Sequence, residues 1–218
     1  MRSNNEPYGQ DLPSAVVRAE RADRRPSFIE DARRTQIVAA AIDVLARDGY
    51  AGASLAAIAT HIGVSKGILS YHFAGKAELL QAVVTKVLGD AADWMGPRVA
   101  DATSFADALQ RYIHANLQFL VAHRPAAIAL VEVLANARTT PGIPELYAEA
   151  QQGAVDAAEQ LFAGGVAAGE FDIPSTRALA VVLRASIDTV TEQMRADETF
   201  DVDAFADDVT AIFDRAVR

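Results

Sequence analysis

Residues 54–73 read Ser-Leu-Ala-Ala-Ile-Ala-Thr-His-Ile-Gly-Val-Ser-Lys-Gly-Ile-Leu-Ser-Tyr-His-Phe, and the fold follows from how that stretch divides. Leu55, Ile58, Ala59 and Ile62 recur at i, i+3, i+4 and i+7, the period of a helix with one apolar face. Ser54 stands just before them, where a side-chain oxygen accepts from the first free amides of the helix. Gly63 ends it, because glycine takes positive φ at no steric cost and lets the chain turn tightly. Ser65 is placed to cap a second short helix, in which Leu69 and Phe73 lie one turn apart and point inward with Val64. Lys66, Gly67, Ser70 and Tyr71 then fall mainly elsewhere. Two short helices joined by a tight turn make a helix-turn-helix. Its outward side offers a cation, a small residue that permits close approach, and hydrogen-bonding groups, chemistry suited to base edges in a major groove.

Working outward, Ile37, Ala41 and Leu45, with Val38 and Ile42 alongside, predict an earlier helix from Asp31 that stops at Gly49. After the motif, Gly75 breaks the chain before a long helix from Lys76 to about Met95. Ser104 with Asp107 forms a capping box for a helix to about His123. Pro125 suits the first turn of the next, ending near Arg138. Thr139 to Pro144 reads as a loop, and a long helix follows to about Ala168, closed by Gly169. Pro174 starts another that reaches about Ala196, and Asp201 or Asp203 starts the last. Strictly alternating β-branched runs are missing and alanine is abundant. The fold class is therefore all-α, with about nine helices.

Composition narrows the function. The 218 residues are 51% hydrophobic and 22% charged, a globular balance. Cysteine is absent, which excludes disulfides, thiolate catalysis and Cys-type zinc sites. No apolar run reaches the roughly 18 residues of a membrane helix, since Ala178 to Ile187 is short and carries Arg184. Met1 to Pro13 is polar with no apolar centre, unlike a signal peptide, so a cytoplasmic location is expected. The net charge of −9 is uneven: residues 1–90 hold 11 Lys+Arg against 10 Asp+Glu, and residues 91–218 hold 9 against 19. Only the second part is acidic, and Lys66, Lys76 and Lys86 all lie in the first. Arg18, Arg21, Arg24 and Arg25 stud the proline-containing leader, which reads either as a solvated tail or as an arm touching DNA.

Catalytic, metal and cofactor motifs are not found. His61, His72, His114 and His123 form no His-Glu-x-x-His pairing. Gly164, Gly165 and Gly169 lack the Lys-Ser/Thr of a phosphate loop, which leaves close helix packing as their use. Trp94, Met95, Phe105, Tyr112, His114, Asn116, Phe119 and Tyr147 supply aromatic surface and a few polar groups, the mixture of a small-molecule cavity and equally of a bundle core. Trp94, Tyr112, His114, Asn116, Phe119 and Tyr147 are the candidate ligand-binding residues. Arg184 suits either an ion pair at a dimer interface or an acidic ligand. Leu179, Val182, Leu183, Ile187, Val190 and Met194 form one apolar stripe, and Phe205, Val209, Ile212 and Phe213 another. One stripe per helix suffices to dock onto a bundle, but Ala178 to Val190 is apolar on more than one face, which points to an isologous dimer interface.

Gly63-Val64-Ser65-Lys66-Gly67, followed by Tyr71-His72-Phe73, Lys76 and Glu78-Leu79-Leu80, resembles the signature of the tetracycline-repressor (TetR) family. Ile37, Ala40-Ala41, Leu45 and Gly49-Tyr50 match that family's first helix, so the resemblance covers roughly residues 31–90. Gly165 to Phe171 is similar to a weaker feature before the last two helices of many members. The resemblance implies a homodimer paired through its last two helices, with a three-helix head on double-stranded DNA and a small-molecule effector in the larger domain. The expected division is a flexible arm over 1–28, a helix-turn-helix domain over 29–78 and a ligand-binding and dimerisation domain over 79–218. By the same resemblance Ser54 and Ser65 match backbone-contacting positions, and Lys66, Gly67, Ile68, Tyr71 and His72 match groove-facing ones. Lys76 matches a phosphate-binding lysine at a helix start, where the dipole favours an anion. Ser70 departs from the pattern, standing where most members place a phosphate-touching tyrosine. The function expected is a transcriptional repressor released by a small molecule, and the alternative is a helical protein-interaction module with a degenerate helix-turn-helix.

Overall fold

The computed structural model describes residues 28–138 and 140–218. The expected N-terminal arm, with Arg18, Arg21, Arg24 and Arg25, lies outside the described residues up to position 27. Two compact units divide the chain, Met1–Thr35 and Gln36–Arg218, and every buried apolar residue among those described belongs to the second.

Among the described residues the regular structure is wholly helical. It comprises α1 (Phe28–Gly52), α2 (Leu55–His61), α3 (Lys66–His72), α4 (Lys76–Ala100), α5 (Phe105–Ala122), α6 (Arg124–Asn136), α7 (Ile143–Ala167), α8 (Thr176–Asp188), α9 (Val190–Ala196) and α10 (Val202–Ala216). The start signals act as the sequence predicts at three helices. Ser54 Oγ accepts from Ala57 N at 3.1 Å, Ser104 Oγ from Asp107 N at 3.0 Å, and Asp201 Oδ1 from Ala204 N at 3.0 Å. No described helix is by itself long and apolar enough to cross a membrane.

α1 begins before Asp31 and runs on past the left-handed Gly49 to Gly52, and three further boundaries differ from expectation, each for a local reason. α4 continues past Pro97 to Ala100. Proline near a helix end removes only one backbone donor, and the last turn is braced by the Arg98 guanidinium, which lies 3.5 Å over the Trp94 ring and donates to Trp94 O at 2.9 Å. The helix expected from Pro174 opens instead at Ser175, whose hydroxyl accepts from Ala178 N. It is also broken in two at Thr189, where Ser186 Oγ donates to Val182 O at 2.9 Å and Thr189 Oγ1 to Ser186 O at 3.1 Å. Hydroxyls that bond back to the preceding turn bend helices.

Two hydrophobic clusters hold the second unit together. The first joins Ile37, Leu45, Ile58, Leu69, Phe73 and Leu79 with Val83 and Val87 of α4, Ala129 and Val133 of α6, and Ile143. The second joins Leu109, Ile113 and Leu117 of α5 with Phe162, Leu183, Ile187, Val209 and Phe213. Gly164 and Gly165 serve the packing: a Cβ at the first would clash with the ring of Phe105, and one at the second with the ring of Phe171.

Candidate nucleic-acid interface and effector cavity

α2 ends in a left-handed glycine. Gly63 has φ +69°, and its N–H donates to Thr60 O at 3.1 Å while Val64 N donates to Ala59 O at 3.0 Å. This doubly bonded ending satisfies the last carbonyls of α2 and sets the direction in which α3 departs. Ser65 occupies the N-cap position of α3 but makes no capping bond. Leu69 and Phe73 are 0% and 1% exposed and anchor α3 on the core. The opposite side carries exposed Ser65, Lys66, Gly67, Ile68, Ser70 and Tyr71, with His72 half-buried. The Tyr71 ring is 57% exposed and meets His72 edge-on at 5.0 Å between centroids. A Cβ at Gly67 would meet only Ser65 Oγ, at an ordinary 3.6 Å, so the chain's own packing does not demand glycine there.

Lys76 is held at the base of this head. Its Nζ donates to Tyr50 O at 2.8 Å and stands 3.9 Å from the centroid of the Tyr50 ring. Burial lowers its pKa. Tyr50 follows Gly49, whose φ of +70° interrupts α1 and leaves the Tyr50 amide without a helical partner. Glu132 of α6 supplies one, with Oε2 accepting from Tyr50 N at 2.9 Å, while Oε1 accepts from Arg195 Nη2 of α9 at 2.9 Å. One carboxylate thus ties the end of α1 to α6 and α9. Sequence reasoning missed Glu132, because its partners lie 82 and 63 positions away.

The body contains a cavity of about 140 Å³ lined by residues of α4 to α9, among them Asn116, Phe119, Tyr147, Gln151, Arg184, Asp188 and Thr191. A more open cleft of about 590 Å³ shares four of its walls, Val131, Leu134, Tyr147 and Asp188, and adds Arg138 and Glu192. Arg184 organises the polar side. Its Nη2 donates to Asp188 Oδ1 at 2.8 Å, and its Nη1 to Asn116 Oδ1 at 3.0 Å and more loosely to Tyr112 Oη at 3.3 Å. Burial opposes its charge, but Tyr112 and Asp188 outweigh burial and raise its pKa. Gln151 Nε2 donates to both Asp188 Oδ2 at 2.7 Å and Tyr147 Oη at 2.8 Å. Burial, then the charge of Asp188, raises the Tyr147 pKa.

Of the six ligand-binding candidates, Asn116, Phe119 and Tyr147 line this cavity, and Tyr112 reaches it through Arg184. Tyr112 also lines a separate open groove of about 470 Å³ with Met95 and Phe105. Trp94 and His114 line none of these spaces. Trp94 donates to Ala115 O at 3.0 Å and packs its ring on Phe119 and His123, and His114 Nε2 lies 3.6 Å from Asp207 Oδ1 of α10. Within its own chain Arg184 pairs with Asp188 and donates to Asn116 and Tyr112. Gln151, Asp188 and Thr191 were missed. The one available signal was Asp188 four positions after Arg184, the spacing of a helical ion pair.

A helix-turn-helix whose second helix presents an exposed polar face, carried on an all-α body with an internal cavity, defines the fold of the described residues. Residues 37–83 match the family model described as bacterial regulatory proteins, tetR family. The chain is 39% identical over 70 residues to the HTH-type transcriptional regulator BetI 2 of Chromohalobacter salexigens, covering 32% of this chain and 34% of that protein. It therefore spans about a third of the length of the curated relatives it matches. Solved structures extend the likeness in fold. A protein of Saccharomonospora viridis in complex with choline shares 22% identity at a TM-score of 0.76, over 83% of this chain and 95% of that one. The regulator FadR of Bacillus subtilis in complex with stearoyl-CoA shares 21% at 0.73, over 84% and 99%. Residues 37–83 thus carry the likeness to the tetR family of bacterial regulatory proteins, and the rest of the chain shares its fold with the solved structures.

Proposed function

We propose that this chain is a sequence-specific DNA-binding transcriptional regulator, a repressor that binds a pseudo-palindromic operator as a homodimer and is released by a small molecule. The observation that carries the reading is the outward side of α3. Its apolar anchors Leu69 and Phe73 are fully used inside, while Lys66, Ile68, Ser70 and Tyr71 face solvent around a glycine that internal packing does not require. Lys66, Gly67, Ile68, Tyr71 and His72 read the groove, and Ser54, Ser65 and Ser70 touch the phosphate backbone. Lys76 adds a phosphate contact through the N–H donors that remain beyond its bond to Tyr50 O. The head comprises residues 29–78, and residues 79–218 hold effector and partner. Pairing through the last two longer helices, α8 and α10, is supported by Val181, Val182 and Ile212, which are 48%, 55% and 60% exposed. The relatives' complexes with choline and stearoyl-CoA support a small-molecule effector in this fold without naming the one that acts here.

Release is a population shift. Asp188, Thr191 and Glu192 line the cavity or its cleft, and Arg195, one turn beyond Thr191, holds Glu132 and through it Tyr50. A ligand that favours a displaced α9 loosens that tie and changes the spacing of the two heads, which successive major grooves require to be about 34–36 Å. A difference in affinity of about 1–3 kcal/mol between the two states couples usefully.

The test is a gel-shift titration of the full chain against genomic fragments at two salt concentrations. A regulator selects a short pseudo-palindrome, and its affinity falls steeply with salt as counterions are released. Lys76→Ala weakens all sequences alike, whereas Tyr71→Ala also relaxes base preference. Binding with no preference, or none at all, refutes the reading and leaves a helical protein-interaction module.

A further inference from the structure

The cavity beside Arg184 carries information about the chemical class of what enters it. Its charges are already matched. Asp188 takes the guanidinium on one oxygen and Gln151 on the other, and both Nη atoms of Arg184 donate to protein acceptors. The cleft outside adds one cation, Arg138, and one anion, Glu192. Across the two spaces the formal charges cancel. A carboxylate ligand would have to displace Asp188 or crowd beside it on one guanidinium, leaving a buried anion short of a counterion, and a quaternary ammonium would find Asp188 fully engaged. Burying an uncompensated charge costs several kcal/mol even after the surroundings relax.

What the walls do leave is a donor. Tyr147 Oη accepts from Gln151, so its own proton is available to give, and its raised pKa keeps that proton in place. The remaining walls are apolar, including Leu88, Phe119, Leu130 and Leu134. Tyr147 lines both cavity and cleft, a position from which its hydroxyl meets a ligand that bridges them.

We propose that this cavity takes an uncharged, largely apolar small molecule bearing a hydrogen-bond acceptor, such as the carbonyl of an ester, lactone or ketone, held by the Tyr147 hydroxyl. This rests on the ligand-responsive reading above and names the class of its effector. An acceptor at that point takes the phenolic proton that the chain leaves unused, and an apolar tail replaces water against the leucines without disturbing the Arg184–Asp188 pair.

The experiment uses the full chain at neutral pH with three probes of equal chain length, methyl octanoate, octanoate and octyltrimethylammonium, each below its micellar concentration. Thermal unfolding is followed against probe concentration, because a ligand of the folded state raises Tm by mass action. Methyl octanoate is expected to raise Tm progressively and to bind at least about tenfold more tightly than either ion. Tyr147→Phe removes one donor while keeping the ring and is expected to weaken ester binding by about five- to tenfold. Leu134→Trp fills the apolar wall and is expected to abolish it. Equal or stronger stabilisation by octanoate or by the ammonium overturns the proposal, as does no shift with any of the three. Ester binding undiminished in both variants overturns it as well. Operator selection by the unliganded chain is read separately in the gel shift. An ester that binds a chain unable to select DNA upholds the site and refutes the regulator, and the reverse result upholds the regulator and refutes the site.

Discussion

The Glu132 tie allows the sharpest prediction. Glu132 is 16% exposed at its side chain and Arg195 is 35%, so the two ends of the tie differ in worth. The bond from the Tyr50 amide is half-buried and charge-assisted, and removing its acceptor costs about 1.5–3 kcal/mol. The bond from Arg195 is partly screened by solvent and contributes about 0.5–1 kcal/mol. Glu132→Ala should therefore destabilise the chain by about 2–4 kcal/mol, and Glu132→Gln, which keeps an acceptor oxygen but no charge, by about 1 kcal/mol. Combining Glu132→Ala with Arg195→Ala should recover a coupling energy of about 0.5–1 kcal/mol. Urea denaturation measures these differences, and amide hydrogen exchange locates them. The Tyr50 amide should exchange at least about tenfold faster in Glu132→Ala, since about 1.4 kcal/mol is a factor of ten, with the acceleration reaching α2 and α3 before the second core cluster. A cost below about 0.5 kcal/mol, or acceleration spread evenly over the chain, would refute the idea that this carboxylate holds the head.

Four further outcomes are expected. Gly165→Ala, whose Cβ would clash with the ring of Phe171, should destabilise by about 1–3 kcal/mol or more in thermal unfolding, the usual cost of overpacking. Gly67→Ala should leave stability unchanged or raise it by up to about 1 kcal/mol, yet weaken operator binding in a gel shift; weakened folding with intact binding would reverse the assignment. Val182→Glu together with Ile212→Glu places charge on the exposed apolar face of α8 and α10 and should yield monomers in sedimentation analysis without loss of helical circular dichroism. Ester binding should be flat from about pH 6 to pH 9 and fall only above about pH 10. The reason is that a phenol with a raised folded-state pKa keeps its contribution below its ordinary value and loses it as pH climbs through the raised one.

The head was legible because its instructions are local. The alternation of anchors at Leu69 and Phe73 and the glycine at position 63 each act within a few residues, and local rules decide helix starts, stops and faces. Gly49 was legible as a stop for the same reason. What it does to the rest of the protein was not, because the amide it frees at Tyr50 is accepted by a residue 82 positions away. The cavity followed the same division. Asn116, Phe119 and Tyr147 could be proposed from composition, but Arg184 gains its meaning from Tyr112 and Asn116, 72 and 68 positions away. The break at Thr189 was hidden for a different reason: the apolar stripe runs through it unbroken, and only the two hydroxyl bonds at Ser186 and Thr189 mark it.

That break joins the two ends of the argument. Had α8 and α9 formed one straight helix, a ligand pressing on Asp188 would have to move the whole rod, with its apolar stripe packed from Leu183 to Met194. A seven-residue α9 set off from α8 at Thr189 moves more cheaply, since fewer buried contacts change. Its far end holds Glu132 by one partly exposed bond from Arg195, the weaker half of the tie and the half that releases first. Straightening the joint with Ser186→Ala and Thr189→Ala should therefore stabilise the chain slightly while making the head's exchange rates insensitive to methyl octanoate. Exchange in α2 and α3 that still responds to bound ester in that variant would separate the joint from the head and leave the signal to travel by another route.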